Sequence, residues 1–182
     1  HLPYLPPERY REHIEDCPTD KTYIDDLHDR ADDGGLALQS EAYNTSERND
    51  IQALYRGEAE YVDDQLNQLL ETIQNIHDWS ETLLIITSDH GELLGNRHAP
   101  GNAAFGHPGY LCEELTHVPL IYAGGQVPDQ CITNIASSID IAPTVASAVG
   151  TPYSQTWKGA ALGSDEFIQR ESVQGTTLSL NA

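Results

Sequence analysis

The sequence predicts an α/β protein in which helices alternate with buried strands. Three observations predict this class: an amphipathic segment from about Glu47 to His77, a continuous apolar run directly after it, and a second strand-and-helix pattern over residues 117–150. Strands that are apolar on both faces are typical of parallel sheets covered by helices. We therefore expect a mostly parallel sheet flanked by helices.

Residues 1–46 are predicted to form an irregular connecting segment. The opening stretch HLPYLPPERY places three prolines within seven residues, and the later acidic stretch DDLHDRADDGG ends in a pair of glycines. Proline removes a backbone donor, and paired glycines interrupt regular structure. We expect this segment to lie over the surface of the domain.

A long helix is predicted over residues 47–77. Apolar residues recur there mostly at intervals of three or four: Ile51, Leu54, Tyr55, Val62, Leu66, Leu69, Leu70, Ile73 and Ile76. That spacing places them on one helix face. Asn44 and Glu47 have the spacing of a capping box, which marks the start of the helix. Gly57 is expected to lower the stability of this helix slightly without interrupting it.

Two strands and a helix complete the predicted core, which spans residues 47–150. The run ETLLIITSD does not alternate between apolar and polar residues, so we expect a fully buried strand, and HVPLIYAGG repeats the pattern. The stretch SIDIAPTVASAVG predicts a helix with Pro143 in its first turn and Gly150 at its end. Signals weaken over residues 151–182, which we treat as a C-terminal segment of the same domain.

The charge of the chain excludes some classes of partner. With 29 acidic and 9 basic residues among 182, the formal net charge is −20. Such a charge repels nucleic acids and anionic membranes. The acidic residues are spread along the whole chain, which favours a folded, halophilic protein with a solvated acidic surface. There is no apolar run of the roughly 18 residues that a membrane segment needs.

Cysteine and methionine usage gives two further expectations. Cys17, Cys112 and Cys131 are odd in number and widely spaced, so we expect free thiols instead of a disulfide framework or a paired zinc motif. The sequence contains no methionine, not even at position 1. We therefore expect a segment N-terminal to these residues.

Asp89 and His90 are the first candidate site residues. They follow directly on the first predicted strand, and ligands of open α/β sheets bind at the carboxyl ends of strands. A carboxylate and a neutral imidazole suit a divalent cation, and Gly91 permits the turn that would aim both at one site. In the alternative reading, Asp89 caps a following helix and His90 lies at its solvated start.

Several stretches together resemble the sulfatases of the alkaline phosphatase superfamily. They are TSDHGELLG, GHPGYLCEELTHVPLIY, the preceding helix EAEYVDDQLNQLLETI and the later SSIDIAPTVASAVG. HLPYLPPERY is similar to a His-x-Pro-Tyr-x-Pro-Pro segment of many members, and WKGAAL to a Gly-x-Ser-Leu stretch, with Ala161 replacing serine. The resemblance runs from His1 to about Leu162. It implies that residues 1–182 form the C-terminal part of a catalytic domain with an alkaline-phosphatase-like sandwich fold.

The resemblance also implies roles for individual residues. Asp89 and His90 match the late pair of metal ligands, which in sulfatases usually hold Ca²⁺, with Zn²⁺ or Mn²⁺ as the alternative. His1 matches a histidine that contacts the transferred sulfuryl group or the nucleophile. His107 matches a lysine or histidine that contacts the anionic ester and assists the leaving oxygen, and His98 is a competing candidate for that position. The remaining histidines (His13, His28, His77 and His117) are predicted to be surface or structural residues.

The nucleophile of the family has no counterpart in this chain. In sulfatases a formylglycine arises from a Cys/Ser-x-Pro-x-Arg motif N-terminal to the His-x-Pro-Tyr segment, whereas the local CPTDK at Cys17 has neither the proline position nor the arginine. We therefore expect a metal-dependent sulfatase acting on a small-molecule or glycan sulfate ester, with no turnover by these residues alone. The alternatives are a phosphate or phosphonate ester hydrolase, a phosphoglycerol transferase, or an inactive gene fragment.

Overall fold

The computed structural model describes residues 1–32, 37–95, 103–109, 111–125, 127, 132–154 and 156–169. In chain order, its helices and strands are α1 (Glu8–Arg11), α2 (Lys21–His28), β1 (Ala31–Asp32), β2 (Ala37–Gln39), α3 (Thr45–Ile76), β3 (Leu84–Thr87), β4 (Leu93–Leu94), β5 (Ala103–Gly106), α4 (Glu113–Thr116), β6 (Leu120–Ala123), α5 (Ile141–Ala148) and α6 (Asp165–Gln169). This mixture of helices and strands confirms the α/β class.

The chain divides into two compact units. The first contains His1–His77 and Thr87–Pro119, and the second contains Asp78–Ile86 and Leu120–Ala182. The long helix α3 and most of the candidate site residues therefore belong to the first unit. Among the described residues, no helix is both long and apolar enough to cross a membrane.

The first unit contains a four-stranded sheet that was not predicted from the sequence. Its strand order is β1-β2-β5-β4, and every pairing is antiparallel. Leu38 of β2 lies opposite Phe105 of β5, and the register shifts by one residue between Leu38 and Gln39. The strands are two to four residues long. Strands this short show no alternating pattern in the sequence.

The segment 1–46 contributes more to the fold than the predicted surface connection. It contains α1, α2 and two strands. Fully buried residues occur in it between residues that are half-buried or exposed. Of the first unit's apolar core, this segment supplies Leu2, Tyr4, Ile24, Leu27, Leu38 and Tyr43, which pack against Ile51, Leu54 and Phe105. Leu2, Tyr4 and Pro6 are buried while His1, Pro3 and Leu5 are exposed, the period-2 alternation of an extended chain. Proline therefore disfavours a helix here without preventing burial.

Helix α3 begins where the sequence predicts. Asn44 Oδ1 accepts the Glu47 N–H at 3.1 Å, and Glu47 Oε2 accepts the Asn44 N–H at 2.8 Å, so the capping box is confirmed. Gly57 was predicted only to lower the stability of the helix, but it also allows a close contact. A β-carbon at Gly57 would lie 2.8 Å from the side chain of Pro6, so glycine lets the N-terminal segment pack directly on the helix.

The second unit contains the two predicted strands and the second predicted helix. Strands β3 and β6 pair with each other. Strand β3 is half-buried where we expected full burial, because β6 is its one strand neighbour among the described residues. Pro143 is the third residue of α5, and Gly150 ends that helix with φ at +66° and its N–H bonded to the Ser147 carbonyl. Both predictions for this helix are confirmed.

The buried Asp140 joins two stretches that carry the family resemblance. One carboxylate oxygen accepts the Ala160 N–H, and the other accepts the Ser137 N–H, each at 2.9 Å. Its side chain is fully buried, and a buried carboxylate is stable only with such partners. Asp140 therefore fixes the WKGAAL stretch beside the start of α5.

Candidate active site

The chain after β3 runs directly into the predicted site. Ser88 Oγ donates a hydrogen bond to the His90 carbonyl at 2.6 Å, and the Gly91 N–H donates to the Leu115 carbonyl at 2.9 Å. A β-carbon at Gly91 would lie only 2.0 Å from the Glu114 carbonyl oxygen. Gly91 is therefore required because the backbone of α4 approaches it closely. From the sequence, Gly91 was expected to permit a turn.

His90 is held by its own backbone. Its Nδ1 lies 2.7 Å from the Gly91 carbonyl oxygen, which can only accept, so Nδ1 carries the proton and Nε2 is left for a ligand. Asp89 Oδ1 accepts the His90 N–H at 3.0 Å and lies 3.9 Å from His90 Nε2. That hydrogen bond holds the pKa of Asp89 below its usual value, which keeps the carboxylate ionised.

The alternative role for Asp89, as a helix cap, is wrong. Residues 88–92 are not helical, and the chain continues from them into β4. The Asp89 side chain is 89% exposed, and its carboxylate and the imidazole nitrogen of His90 lie on the same side of the loop. Both predicted metal ligands therefore offer donor atoms to one region, and their chemistry fits a divalent cation.

Glu92 and His107 meet across the antiparallel pair of β4 and β5. Leu93 lies opposite Gly106, so the residues that flank this pair, Glu92 and His107, also face each other. His107 Nδ1 lies 3.3 Å from each carboxylate oxygen of Glu92. The Glu92 and His107 side chains are 7% and 14% exposed. Residues that are separated by 15 positions in the sequence thus form one partly buried acid–imidazole pair.

Tyr4 fixes the other side of the Glu92 carboxylate. The Tyr4 hydroxyl donates to Glu92 Oε1 at 2.9 Å, and the ring packs in the core. Burial raises the pKa of Tyr4 far above its ordinary value, so its hydroxyl remains protonated and acts as a donor. Tyr4 in turn receives support from His28, whose Nε2 accepts the Tyr4 N–H at 3.0 Å.

Three predicted site histidines come together at this place. The ring centroids of His90 and His107 are 4.3 Å apart, those of His1 and His107 are 4.5 Å apart, and those of His1 and His90 are 6.3 Å apart. In each ring Nδ1 contacts an oxygen of the chain: the Leu2 carbonyl for His1, the Gly91 carbonyl for His90 and the Glu92 carboxylate for His107. Each imidazole therefore keeps Nε2 for a ligand or substrate.

Glu92 was not predicted as a site residue. Glu92, His90 and His107 form a group in which one potential metal-ligand atom of each residue lies within 4.8 Å of the others. Glu92 lies within the TSDHGELLG stretch, but its contacts with Tyr4 and His107 depend on strand pairing and on the extended N-terminal segment. Its position two residues after His90 was the only signal available.

The other predicted residues lie away from this cluster or outside the described chain. His28 is structural, as predicted, because it joins the Tyr4 N–H to the Ile24 carbonyl. His117 directly follows α4, and its exposed side chain lies beside that of Glu113. Cys17 and Cys112 are free thiols, as predicted. His98 and Cys131 lie outside the described residues, so the structure does not test their predictions.

Comparison with known proteins identifies the family. A family model described as Sulfatase matches residues 1–151. The low-salt glycan biosynthesis sulfotransferase Agl7 of Haloferax volcanii is 32% identical over 136 residues, which cover 70% of this chain and 33% of that protein. Arylsulfatase K of Canis lupus familiaris is 28% identical over 121 residues, which cover 66% of this chain and 22% of that protein.

A solved structure shares the fold. The phosphonate monoester hydrolase SpPMH from Silicibacter pomeroyi aligns with a TM-score of 0.54 at 23% identity, over 87% of this chain and 29% of that chain. This likeness supports the predicted alkaline-phosphatase-like fold and no particular activity. The chain spans a third or less of the length of these relatives. Because the family model covers most of the chain, including His1, His90 and His107, the chain belongs to the sulfatase family.

Proposed function

We propose that the chain is the C-terminal part of the catalytic domain of a metal-dependent sulfatase that hydrolyses a small-molecule or glycan sulfate monoester. The observation that carries the proposal is the convergence of His1, His90 and His107, with ring centroids between 4.3 and 6.3 Å apart, at the end of β3. Three imidazoles with Nε2 available can together serve an anionic ester, His90 through a bound cation and His1 and His107 by direct contact. The family match supports sulfate as the anion.

Asp89 and His90 are the proposed ligands of a divalent cation, Ca²⁺ by the family resemblance and Zn²⁺ or Mn²⁺ by the imidazole donor. Bound there, the cation supplies positive charge that neutralises the non-bridging oxygens of the ester. Asp89 contributes an ionised carboxylate whose pKa is held down by the His90 N–H. His90 contributes a nitrogen whose tautomer is fixed by the Gly91 carbonyl.

His1 and His107 are the proposed catalytic contacts to the ester. Sulfate ester cleavage puts negative charge on the leaving oxygen, and an imidazolium donor stabilises that charge. His107 is oriented for this task by Glu92, which fixes Nδ1 and leaves Nε2. His1 lies beside it and contributes a second donor to the sulfuryl oxygens.

A second candidate is sulfuryl transfer to a glycan hydroxyl in place of water. It is favoured by the 32% identity to a protein named as a glycan biosynthesis sulfotransferase. Both reactions place the same charge on the same oxygens, so the described residues suit either. They differ in the acceptor, which the assay must therefore distinguish.

The test is an assay of the full product of the gene that contains this chain. Aryl sulfate, aryl phosphate and aryl phosphonate are offered separately, and free sulfate is measured with and without an added glycan acceptor. We expect aryl sulfate to be preferred, and we expect His107→Ala to lower kcat/KM by about 100-fold or more, in the range of general acid–base contributions. His117→Ala, which removes an exposed imidazole, is the matched control.

A preference for phosphate or phosphonate would overturn the sulfatase assignment in favour of a phosphoester enzyme of the same superfamily. The absence of turnover on every ester would identify an inactive gene product. The isolated 182-residue chain is expected to be inactive in this assay, because the sequence offers no counterpart of the family nucleophile.

A further inference from the structure

The second unit contains an open cavity that shares no residue with the histidine cluster of the proposed active site. Its volume is about 530 Å³, within the range of roughly 300–1,000 Å³ that is common for small-molecule sites. Two aromatic rings and several polar side chains line it, those of Tyr153, Trp157, Ser147, Thr151, Ser154 and Glu166. We propose that this cavity binds an uncharged sugar ring of a glycan. Such binding requires no ester hydrolysis and goes beyond the proposed function.

The two aromatic rings form the apolar part of the cavity. The ring centroids of Tyr153 and Trp157 are 5.7 Å apart and the ring planes differ by 18°, so the ring faces point in nearly the same direction. Trp157 is 45% exposed, although tryptophan is highly buried on average. An aromatic face carries partial negative charge, and it attracts the C–H groups on the apolar face of a sugar ring. The pair therefore offers a surface on which a sugar ring can pack.

The polar side chains of the cavity match the hydroxyl groups of a sugar. Within the described part of the chain, the side chains of Ser147, Thr151 and Glu166 make no hydrogen bond. A hydroxyl group both donates and accepts, whereas a carboxylate only accepts. Sugar hydroxyls also donate and accept, so these side chains can pair with several of them at once.

The turn that carries Trp157 is fixed by its backbone. The Trp157 N–H donates to the Ser154 carbonyl at 3.0 Å, and the Thr156 N–H donates to Ser154 Oγ at 3.2 Å. A β-carbon at Gly159 would lie 1.9 Å from the Ile139 carbonyl oxygen, so the stretch after Trp157 packs directly against the turn that precedes α5. Because the turn is already ordered, little conformational freedom is lost when a ligand binds.

Charge and ring geometry favour an uncharged ligand over a charged one. The chain carries a formal charge of −20, and Glu166 adds a carboxylate to the cavity itself, so anionic and sulfated sugars are repelled. Quaternary ammonium ions are typically bound in cages of aromatic faces. The faces of Tyr153 and Trp157 are nearly parallel and do not form such a cage.

The experiment offers methyl glycosides of glucose, galactose and mannose to the full product of the gene that contains this chain. Saturation-transfer NMR measures binding and identifies the sugar protons in contact, and we expect these to be the C–H protons of one ring face. Trp157→Ala should lower the affinity by about 10-fold or more, as for a residue at the centre of a binding site. Trp157→Tyr retains a ring and should retain most of the binding. Tyr61→Ala, which removes an exposed ring of the first unit, is the matched control.

Competitors distinguish this cavity from the proposed ester site. Inorganic sulfate, an anion suited to the ester site, should not displace the glycoside, and tetramethylammonium and a sulfated glucose should bind more weakly than methyl glucoside. No binding of any glycoside, binding unchanged in Trp157→Ala, displacement by sulfate, or a preference for either charged probe would overturn the inference. Trp157→Ala should hydrolyse a simple aryl sulfate as wild type does, so the ester assay decides the hydrolase proposal separately.

Discussion

At the residue scale, Gly91 shows how one position can serve the site through packing. The close approach of the Glu114 carbonyl leaves no room for a β-carbon, and the Gly91 N–H is bonded to Leu115. The loop that carries His90 is therefore held against α4 by a backbone hydrogen bond at Gly91. Any larger residue must push this loop away from the backbone of α4.

We expect Gly91→Ala to lower the free energy of unfolding by about 3 kcal/mol, at the upper end of the range for overpacking, because the obstacle is backbone. The measurement is urea denaturation followed by circular dichroism. Gly109→Ala is the control, since a β-carbon there meets no atom within 4 Å. Equal stability of the two variants would show that the contact with Glu114 is not rigid.

His28 predicts a specific dependence of stability on pH. Desolvation by burial lowers the pKa of His28 from its ordinary value of 6.5. As the pH falls below that value, the unfolded chain binds a proton that the folded chain resists binding, so stability falls. Above it, both states are neutral and the contribution is constant.

The test compares the unfolding free energy of wild type and His28→Gln between about pH 5 and pH 8, the range in which histidine titrates. Glutamine offers a carbonyl acceptor and an NH₂ donor group without titrating. We expect the variant to lose less stability than wild type on acidification. Parallel curves for the two proteins would contradict a shifted pKa at His28.

At the element scale, α3 was predictable because its signals are local. Asn44 and Glu47 define its start through the capping box, and the apolar spacing defines its length. The helix ends at Ile76, one residue before the predicted His77. Strand β6 and helix α5 were predictable for the same reason, since Gly124 and Gly150, both with positive φ, mark their ends.

The antiparallel sheet and Glu92 were not predictable from local sequence. Strands β1 and β4 have two residues each, too few for any periodic pattern. The contact of Glu92 with His107 follows from the pairing of Leu93 with Gly106, and its contact with Tyr4 joins residues 88 positions apart. His1, His90 and His107 were reached through family resemblance, whereas their convergence is a consequence of tertiary structure.

The capping box predicts a measurable contribution to the stability of α3. Asn44→Ala removes the acceptor for the Glu47 N–H and should lower the free energy of unfolding by about 1 kcal/mol. Asn67→Ala is the control on the same helix, because Asn67 is exposed and its side chain donates to Glu71, one turn along the helix. A cost for Asn44→Ala no larger than for Asn67→Ala would contradict the assigned cap.

At the scale of the whole molecule, the net charge of −20 predicts stability that rises with salt. Repulsion between carboxylates acts over long distances in dilute buffer, whereas the Debye length is only about 3 Å in 1 M salt. We expect the melting temperature to increase from low to molar KCl. A flat or falling melting temperature would contradict the halophilic interpretation.

The central claim is that the histidine cluster at the end of β3 belongs to a metal-dependent site for sulfate ester hydrolysis. The most direct test measures aryl sulfate hydrolysis by the full gene product after removal of metal with EDTA, and again after addition of Ca²⁺, Mn²⁺ or Zn²⁺. We predict that activity is lost on removal, returns with at least one of these ions, and does not return in His90→Ala. Undiminished hydrolysis in the metal-free protein, or normal recovery in His90→Ala, would contradict the account.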